Sequence, residues 1–347
     1  MKRKASHQRL NISIQASGKT SSARLEVLDG WRALSILAVI AGHWLPLGPA
    51  AWSFNAASAA SGMALFFCLS GFLIAKLLHS DPTISDFLVK RVFRIVPLAW
   101  LAMLVLALAN NASASTWAAN FGFYANIPPA DLMRGGEHLW SLCVEVQFYL
   151  FAAILVGVAG KRGLFVLPIL ALCVTTLRIS AGEVISIVTW HRVDEILMGA
   201  AVALVWIKYP PQAASRIPVW LSPLALGLLL VSSLPQSGAF GYLRPYWAAL
   251  AIGCSLYAFP AIMGQFWKGR LARYVAEISY SLYVWHIILQ STALGGEGLD
   301  TLQKYLLRIP LALLTWLVAH ISTRYYEMPL TKFGRKLLRK RSRSAEV

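Results

Sequence analysis

Apolar positions along this chain gather in long unbroken blocks, near residues 28–47, 60–79, 92–110, 138–158, 163–180, 194–208, 217–234, 245–263, 276–294 and 306–326. A helix rises 1.5 Å per residue, so blocks of about 20 residues match the hydrocarbon thickness of a bilayer. The pattern predicts an all-α, polytopic integral membrane protein of about ten transmembrane helices. The sixth block is short, and 111–137 has room for a re-entrant or surface helix, so the count stands within about one. That connection contains "NIPPADLMRGGEH", whose Pro and Gly pairs punctuate a folded loop rather than a helix. No repeat with a period of 20–50 residues interrupts the pattern, which gives one membrane domain, 28–330, between a basic segment, 1–27, and a basic tail, 331–347.

Composition agrees with the pattern: 57% of residues are hydrophobic, 14% are charged, and mean hydropathy is +0.59. A soluble domain carries about 25% charged residues. Charge then orients the chain. With the N-terminus inside, the inner segments hold 24 of the 32 Lys and Arg, which places both termini in the cytoplasm. The net charge of +17 is thus the signature of insertion. Nucleic acid is excluded as a partner because no soluble domain remains to carry it. The tail "KFGRKLLRKRSR" is expected to rest on anionic membrane lipids. The first block is longer than a signal-peptide core and is interrupted by Arg32, so it is expected to be retained. Cys68, Cys143, Cys173 and Cys254 lie in apolar runs without metal-ligand spacing, and no metal is required.

Candidate chemistry rests with the polar residues at membrane depth, each costly in hydrocarbon unless it faces a partner or a cavity. In "LDGWRALSILAVIAGHW", Arg32 and His43 share a helix face about 16 Å apart, suited to different depths of one cavity. Asp29 is spaced to pair with Arg32. Arg91 and Arg94 in "LVKRVFRIVP" share a face at the inner mouth of the third helix; they read equally as a polyphosphate clamp or as a positive-inside cluster. Glu145 in "HLWSLCVEVQFYL" must pair with a cation or take a proton, and His43 is its expected partner. Trp140 and Tyr149 on the same helix read as interfacial or cavity-wall aromatics, with the lining of an acceptor site as their candidate role. Arg192 and Asp194, at the outer start of the sixth helix, fit either a helix-dipole arrangement or sugar contacts. Tyr280, Tyr283 and His286 form a polar stripe that is either packing glue or substrate lining.

"LDGWRALSILAVIAGHW", "FFCLSGFLI", "KRVFRIVPLAW", "LWSLCVEVQFYL", "RVDEILMGA" and "SYSLYVWH" occur in an order and spacing that resembles the membrane acyltransferase-3 family, ten-helix bacterial proteins that O-acylate cell-surface and exported glycans. The resemblance covers about residues 26–330. It implies Arg32 and His43 as the signature pair, Arg91 and Arg94 as residues that meet acyl-CoA, and Glu145 as the acid of the W-S-L block. Val146 stands where the family usually has a second acid, which puts a two-carboxylate mechanism in doubt. Ala33 and Lys90 are milder departures. The chain stops 17 residues after the last block, so the form without an appended soluble hydrolase-like domain is expected.

The mechanism so implied holds the donor's phosphates and adenine on Arg91, Arg94 and Arg32, with acyl-CoA, by default acetyl-CoA, as co-substrate and no bound cofactor. The thioester lies roughly 15–20 Å beyond the phosphates, which matches the rise from Arg32 to His43. His43, oriented by Glu145, then acts as general base or transiently takes the acyl group, and a glycan or glycolipid hydroxyl is the acceptor. Two alternatives stay open: acylation of a small-molecule or lipid acceptor, and a multi-helix transporter, against which the absence of repeated halves argues.

Overall fold

The computed structural model describes residues 26–211 and 216–345, so the basic segment expected at 1–27 lies almost wholly outside the described residues. Every regular element among them is helical. In chain order these are α1 (26–44), α2 (Phe54–Ser80), α3 (Ile84–Ala109), α4 (Ala114–Phe121), α5 (Trp140–Ala159), α6 (Leu167–Ala181) and α7 (Asp194–Lys208). There follow α8 (Leu221–Ser232), α9 (Arg244–Ser255), α10 (Ala261–Trp267), α11 (Arg270–Gln290), α12 (Thr301–Ile321) and α13 (Met328–Ala345).

Nine of the ten expected apolar blocks fall mainly on a single helix, while 245–263 is broken between α9 and α10, and the expectation of ten full-length spans is met only in part. Among the described residues four helical stretches are long and apolar enough to cross a membrane: Ala50–Ser80, Ile84–Ala109, Glu137–Ala181 and Thr301–Arg339. The helices α6 to α9 have 15, 15, 12 and 12 residues, or about 18–23 Å, short of the roughly 30 Å of a hydrocarbon core. Three of them end at a common point: Arg178 in the last turn of α6, Asp194 and Glu195 in the first turn of α7, and Arg244 at the start of α9 meet in a buried charged cluster that closes this end of the three helices.

Close approach of backbones holds the bundle where the site will sit. A Cβ added at Gly71 of α2 would meet the Ile196 carbonyl oxygen at 1.8 Å, and one at Gly199 of α7 the Cys68 carbonyl oxygen at 1.9 Å. Glycine is therefore required at both faces of the α2–α7 crossing, as in small-residue membrane packing. Gly71→Ala or Gly199→Ala is expected to destabilise the protein by about 1–3 kcal/mol or more, because backbone has to move. A lowered melting temperature of the detergent-solubilised protein checks this; an unchanged one would show that the crossing can relax.

Five further hydrogen bonds fix α1, which carries Arg32 and His43. Ser35 donates to the Gly62 carbonyl and Ser58 to the Ala38 carbonyl, both at 2.8 Å, tying α1 to α2. Asn55 Nδ2 donates to the carbonyls of Gly42 and Leu45 at 2.9 and 2.6 Å, satisfying orphan acceptors at the C-terminal end of α1. Trp44 Nε1 donates to Gln290 Oε1 at 3.1 Å, fastening the same end to α11. In α3, Pro97 cannot donate to the Phe93 carbonyl one turn back, and the Thr331 hydroxyl of α13 approaches that oxygen at 3.4 Å. The loop 110–139 is folded, as its Pro and Gly pairs imply: Asn126 and Gln147 bond each other at 3.0 Å and both reach Thr189, at 2.8 and 2.6 Å.

Candidate active site

Two groups of cavities lie at opposite ends of α1. At its N-terminal end a cavity of ≈380 Å³ is walled by α2, α3, α5 and α11. Arg32, Lys76, Arg91 and Arg94 line it against a single carboxylate, Glu145. A second cavity of ≈380 Å³ shares Arg32 and Arg94 with it and adds Arg273, Lys332 and Arg335, with Asp29, Glu277 and Glu327 as the acids. Arg91 lies 5.8 Å from the Tyr149 ring and 5.9 Å from Phe87, and its Nε is buried without an acceptor. Guanidiniums held over aromatic faces with N–H groups to spare form a receptor for phosphate or carboxylate oxygens. Asp29 pairs with Arg32 at 3.5 Å, as the spacing anticipated.

At the C-terminal end of α1 a cavity of ≈580 Å³ is lined by His43, Glu137, His138, Trp140, Arg192 and Tyr283, with mostly small and apolar side chains of α1, α2, α11 and the connections before α5 and α7 as its remaining wall. Arg32 and His43 therefore face different cavities rather than two depths of one. Phe66 lines the basic cavity, Tyr283 lines the histidine cavity, and their rings stack at 6.0 Å, so this aromatic pair partitions the two. Tyr283 is fixed in place: its hydroxyl donates to the His138 carbonyl at 2.6 Å and lies 2.6 Å from the Ser141 hydroxyl.

Three histidines meet here, and their hydrogen bonds assign their protons. His286, fully buried on α11, has Nδ1 2.6 Å from the Tyr283 carbonyl, an acceptor only, so in the neutral ring Nδ1 carries the hydrogen and Nε2 the lone pair. That lone pair lies 3.2 Å from His43 Nδ1, which must then be the donor. His43 is left with an unprotonated Nε2. Among the three, His43 alone is exposed, on the cavity side. An orienting acceptor on one nitrogen and a free lone pair on the other is the arrangement a general base or nucleophile needs. His138 donates from Nε2 to the Val284 carbonyl at 3.1 Å, and its buried Nδ1 has no partner.

Several sequence expectations change at this point. Glu145 does not meet His43. It is buried on the basic-cavity side, where Oε1 accepts from Ser70 at 2.5 Å and from Tyr149. The rotation of α5 decides this, since it turns Glu145 toward α2 and α3 and leaves Trp140, five residues earlier, on the histidine cavity. Tyr149 follows Glu145 to the basic cavity instead of lining an acceptor site. Asp194 reaches no cavity: it is buried against Arg178 at 2.5 Å, which gives it a structural place. The stripe on α11 runs from one cavity to the other, with Tyr280 on the basic side and Tyr283 and His286 at the histidines. His138, Ser70 and Lys76 were missed by the sequence reading. The position of His138 directly before the W-S-L block was the one available signal.

The family model for the acyltransferase domain of the acyltransferase-3 family matches residues 25–324, so the chain belongs to that family and carries its acyltransferase domain. The chain is 25% identical over 369 residues to the O-acetyltransferase OatA of Staphylococcus aureus, covering 89% of this chain and 57% of that protein. It is likewise 25% identical over 357 residues to the peptidoglycan O-acetyltransferase OatA of Listeria monocytogenes, with coverage of 88% and 56%. The chain thus spans a little over half the length of these relatives. No solved structure matches it.

Proposed function

We propose that the protein is a multi-pass O-acyltransferase of the bacterial inner membrane, with ten membrane helices and both termini cytoplasmic, that moves an acetyl group from cytosolic acetyl-CoA to a glycan hydroxyl on the opposite side. The observation that carries this reading is His43, whose accessible Nε2 is left unprotonated by His286 in a cavity one aromatic pair away from a polyanion receptor. The phosphates of the donor sit on Arg91, Arg94 and Arg32, and the pantetheine arm passes the Phe66–Tyr283 partition. His43 Nε2 removes the proton of the acceptor hydroxyl as its oxygen attacks the thioester carbonyl. The tetrahedral intermediate then expels the CoA thiolate, which takes that proton from His43. In the acyl-enzyme variant, His43 itself attacks, releases the thiolate, and passes the acyl group to the hydroxyl in a second step. Peptidoglycan, on which the Listeria relative is named as acting, is one acceptor of the required class.

Radiolabelled acetyl-CoA with the purified full chain and a glycan acceptor tests the reading: CoA release and labelled glycan are expected, and absence of both contradicts it. Two variants divide the site. His286→Leu is expected to lower kcat on the order of 10²-fold with donor KM unchanged, while His286→Gln, whose amide oxygen can accept the same N–H, retains part of the rate. An equal loss in both would show a packing role instead. Glu145→Gln is expected to raise donor KM about 10-fold and leave acceptor KM alone, since its charged hydrogen bonds order the basic cavity. A rise in acceptor KM would return Glu145 to the histidine cavity.

A further inference from the structure

One feature of the histidine cavity is unused by acyl transfer as described: a buried cation that shares its one nearby carboxylate with another guanidinium. The cluster that closes α6, α7 and α9 holds three guanidiniums, of Arg178, Arg192 and Arg244, against two carboxylates, of Asp194 and Glu195. Arg178 Nη1 takes Asp194 at 2.5 Å and Arg244 Nε takes Glu195 at 2.7 Å. Arg192 is the one left over. It is 2% exposed, its nearest carboxylate atom is Glu195 Oε2 at 3.4 Å without hydrogen-bond geometry, and its Nε and Nη1 find no acceptor among the described residues. The guanidinium lies 5.4 Å from the Trp140 ring and 6.0 Å from Phe67, which holds it in place, and it forms part of the wall of the cavity into which His43 is exposed. Glu137 lines the same cavity, but its Oε1 is occupied by the Gly135 N–H at 3.0 Å.

A desolvated guanidinium with free donors is costly to maintain unless a ligand completes it. We infer that Arg192 binds an anionic oxygen group, a carboxylate or a phosphate, carried by the acceptor within about one sugar residue of the hydroxyl that is acylated. This deepens the reading of His43 as the acyl-transfer group and rests on it. The cavity of ≈580 Å³ is on the scale of a sugar residue with its substituents, so a glycan seated at His43 presents its neighbouring substituents to Arg192. A neutral hexose would leave the guanidinium unmatched, and an anionic residue would supply the charge the cluster lacks. The acceptor class is therefore an acidic glycan.

Binding to the full chain in detergent tests this without turnover. The probes are a hexuronate oligosaccharide, the same oligosaccharide after carboxyl reduction, and a hexose phosphate. Wild type is expected to bind at least one charged probe roughly 10-fold tighter than the reduced one at low salt. The tighter of the two charged probes identifies the group as carboxylate or phosphate. Arg192→Gln is expected to bring the ratio to within about twofold, and Arg192→Lys to keep part of it. Glu195 keeps Arg244 in both variants, so the cluster retains an ion pair. Equal binding of charged and reduced probes by wild type overturns the inference. So does an Arg192→Gln protein whose turnover of charged and neutral acceptors falls by the same factor, their ratio unchanged, which would assign the guanidinium to the tetrahedral intermediate. Failure of acetyl transfer with the binding preference intact would instead count against the role of His43.

Discussion

Replacement of His43 by alanine is expected to lower acetyl transfer on the order of 10³-fold while donor affinity stays within about twofold. His43 is the exposed member of the three histidines, and the bonds from Tyr283 through His286 leave its Nε2 with the lone pair. Neither neighbour can take over. His286 is fully buried with both nitrogens engaged, and His138 is tethered through Nε2 to the Val284 carbonyl with its unpartnered Nδ1 buried. Donor affinity is spared because the basic residues lie beyond the Phe66–Tyr283 pair. Transfer assays with labelled acetyl-CoA, paired with equilibrium binding of CoA, measure the two quantities separately. Label retained on wild type without acceptor, discharged when acceptor is added and missing from His43→Ala, identifies the acyl-histidine route. Retention of more than about a tenth of wild-type transfer by His43→Ala would remove His43 from the chemistry, since general acid–base catalysis contributes at least 10².

The double variant Arg91→Ala and Arg94→Ala is expected to raise donor KM on the order of 10²-fold and to leave acceptor KM unchanged. Hydrogen bonds to charged groups each contribute about 1.5–3 kcal/mol, so losing two guanidiniums from a phosphate site reaches that size even with partial compensation by Arg32 and Lys76. The wild-type KM for CoA should also rise with ionic strength, more steeply than that of the double variant. Measured KM values at two salt concentrations check both. A double variant with unchanged KM and unchanged salt response would show the cluster to be a topogenic one, as the positive-inside rule alone allows.

The sequence made some of this legible and hid the rest for physical reasons. Apolar runs are a local property, so the predicted blocks landed on helices, and Arg32 and His43 stand eleven residues apart on α1, whose fixed pitch separates them along its axis. The separation of that face into two cavities was invisible, since it depends on Phe66 of α2 meeting Tyr283 of α11, residues more than 200 positions apart. Glu145 was assigned to His43 by depth alone; the rotation of α5, which hydropathy does not encode on a helix buried on most sides, sends it to Ser70 and Tyr149. His286 was noted as part of a stripe, yet its role in setting the His43 tautomer needs the 3.2 Å contact across two helices. The short lengths of α6, α7 and α9 were hidden by continuous hydrophobicity, which does not report where Arg178, Asp194, Glu195 and Arg244 converge and close the helices.

The most direct test is sided transfer in sealed proteoliposomes whose orientation is fixed by protease access to the tail after residue 331. With labelled acetyl-CoA on the side of the tail and the glycan acceptor on the other, labelled glycan is expected to accumulate, and His43→Ala vesicles should give none above background. Little or no product is expected when acetyl-CoA is supplied only on the side away from the tail. Equal product from either placement of the donor would contradict a basic receptor and a histidine site that open to opposite faces of the membrane.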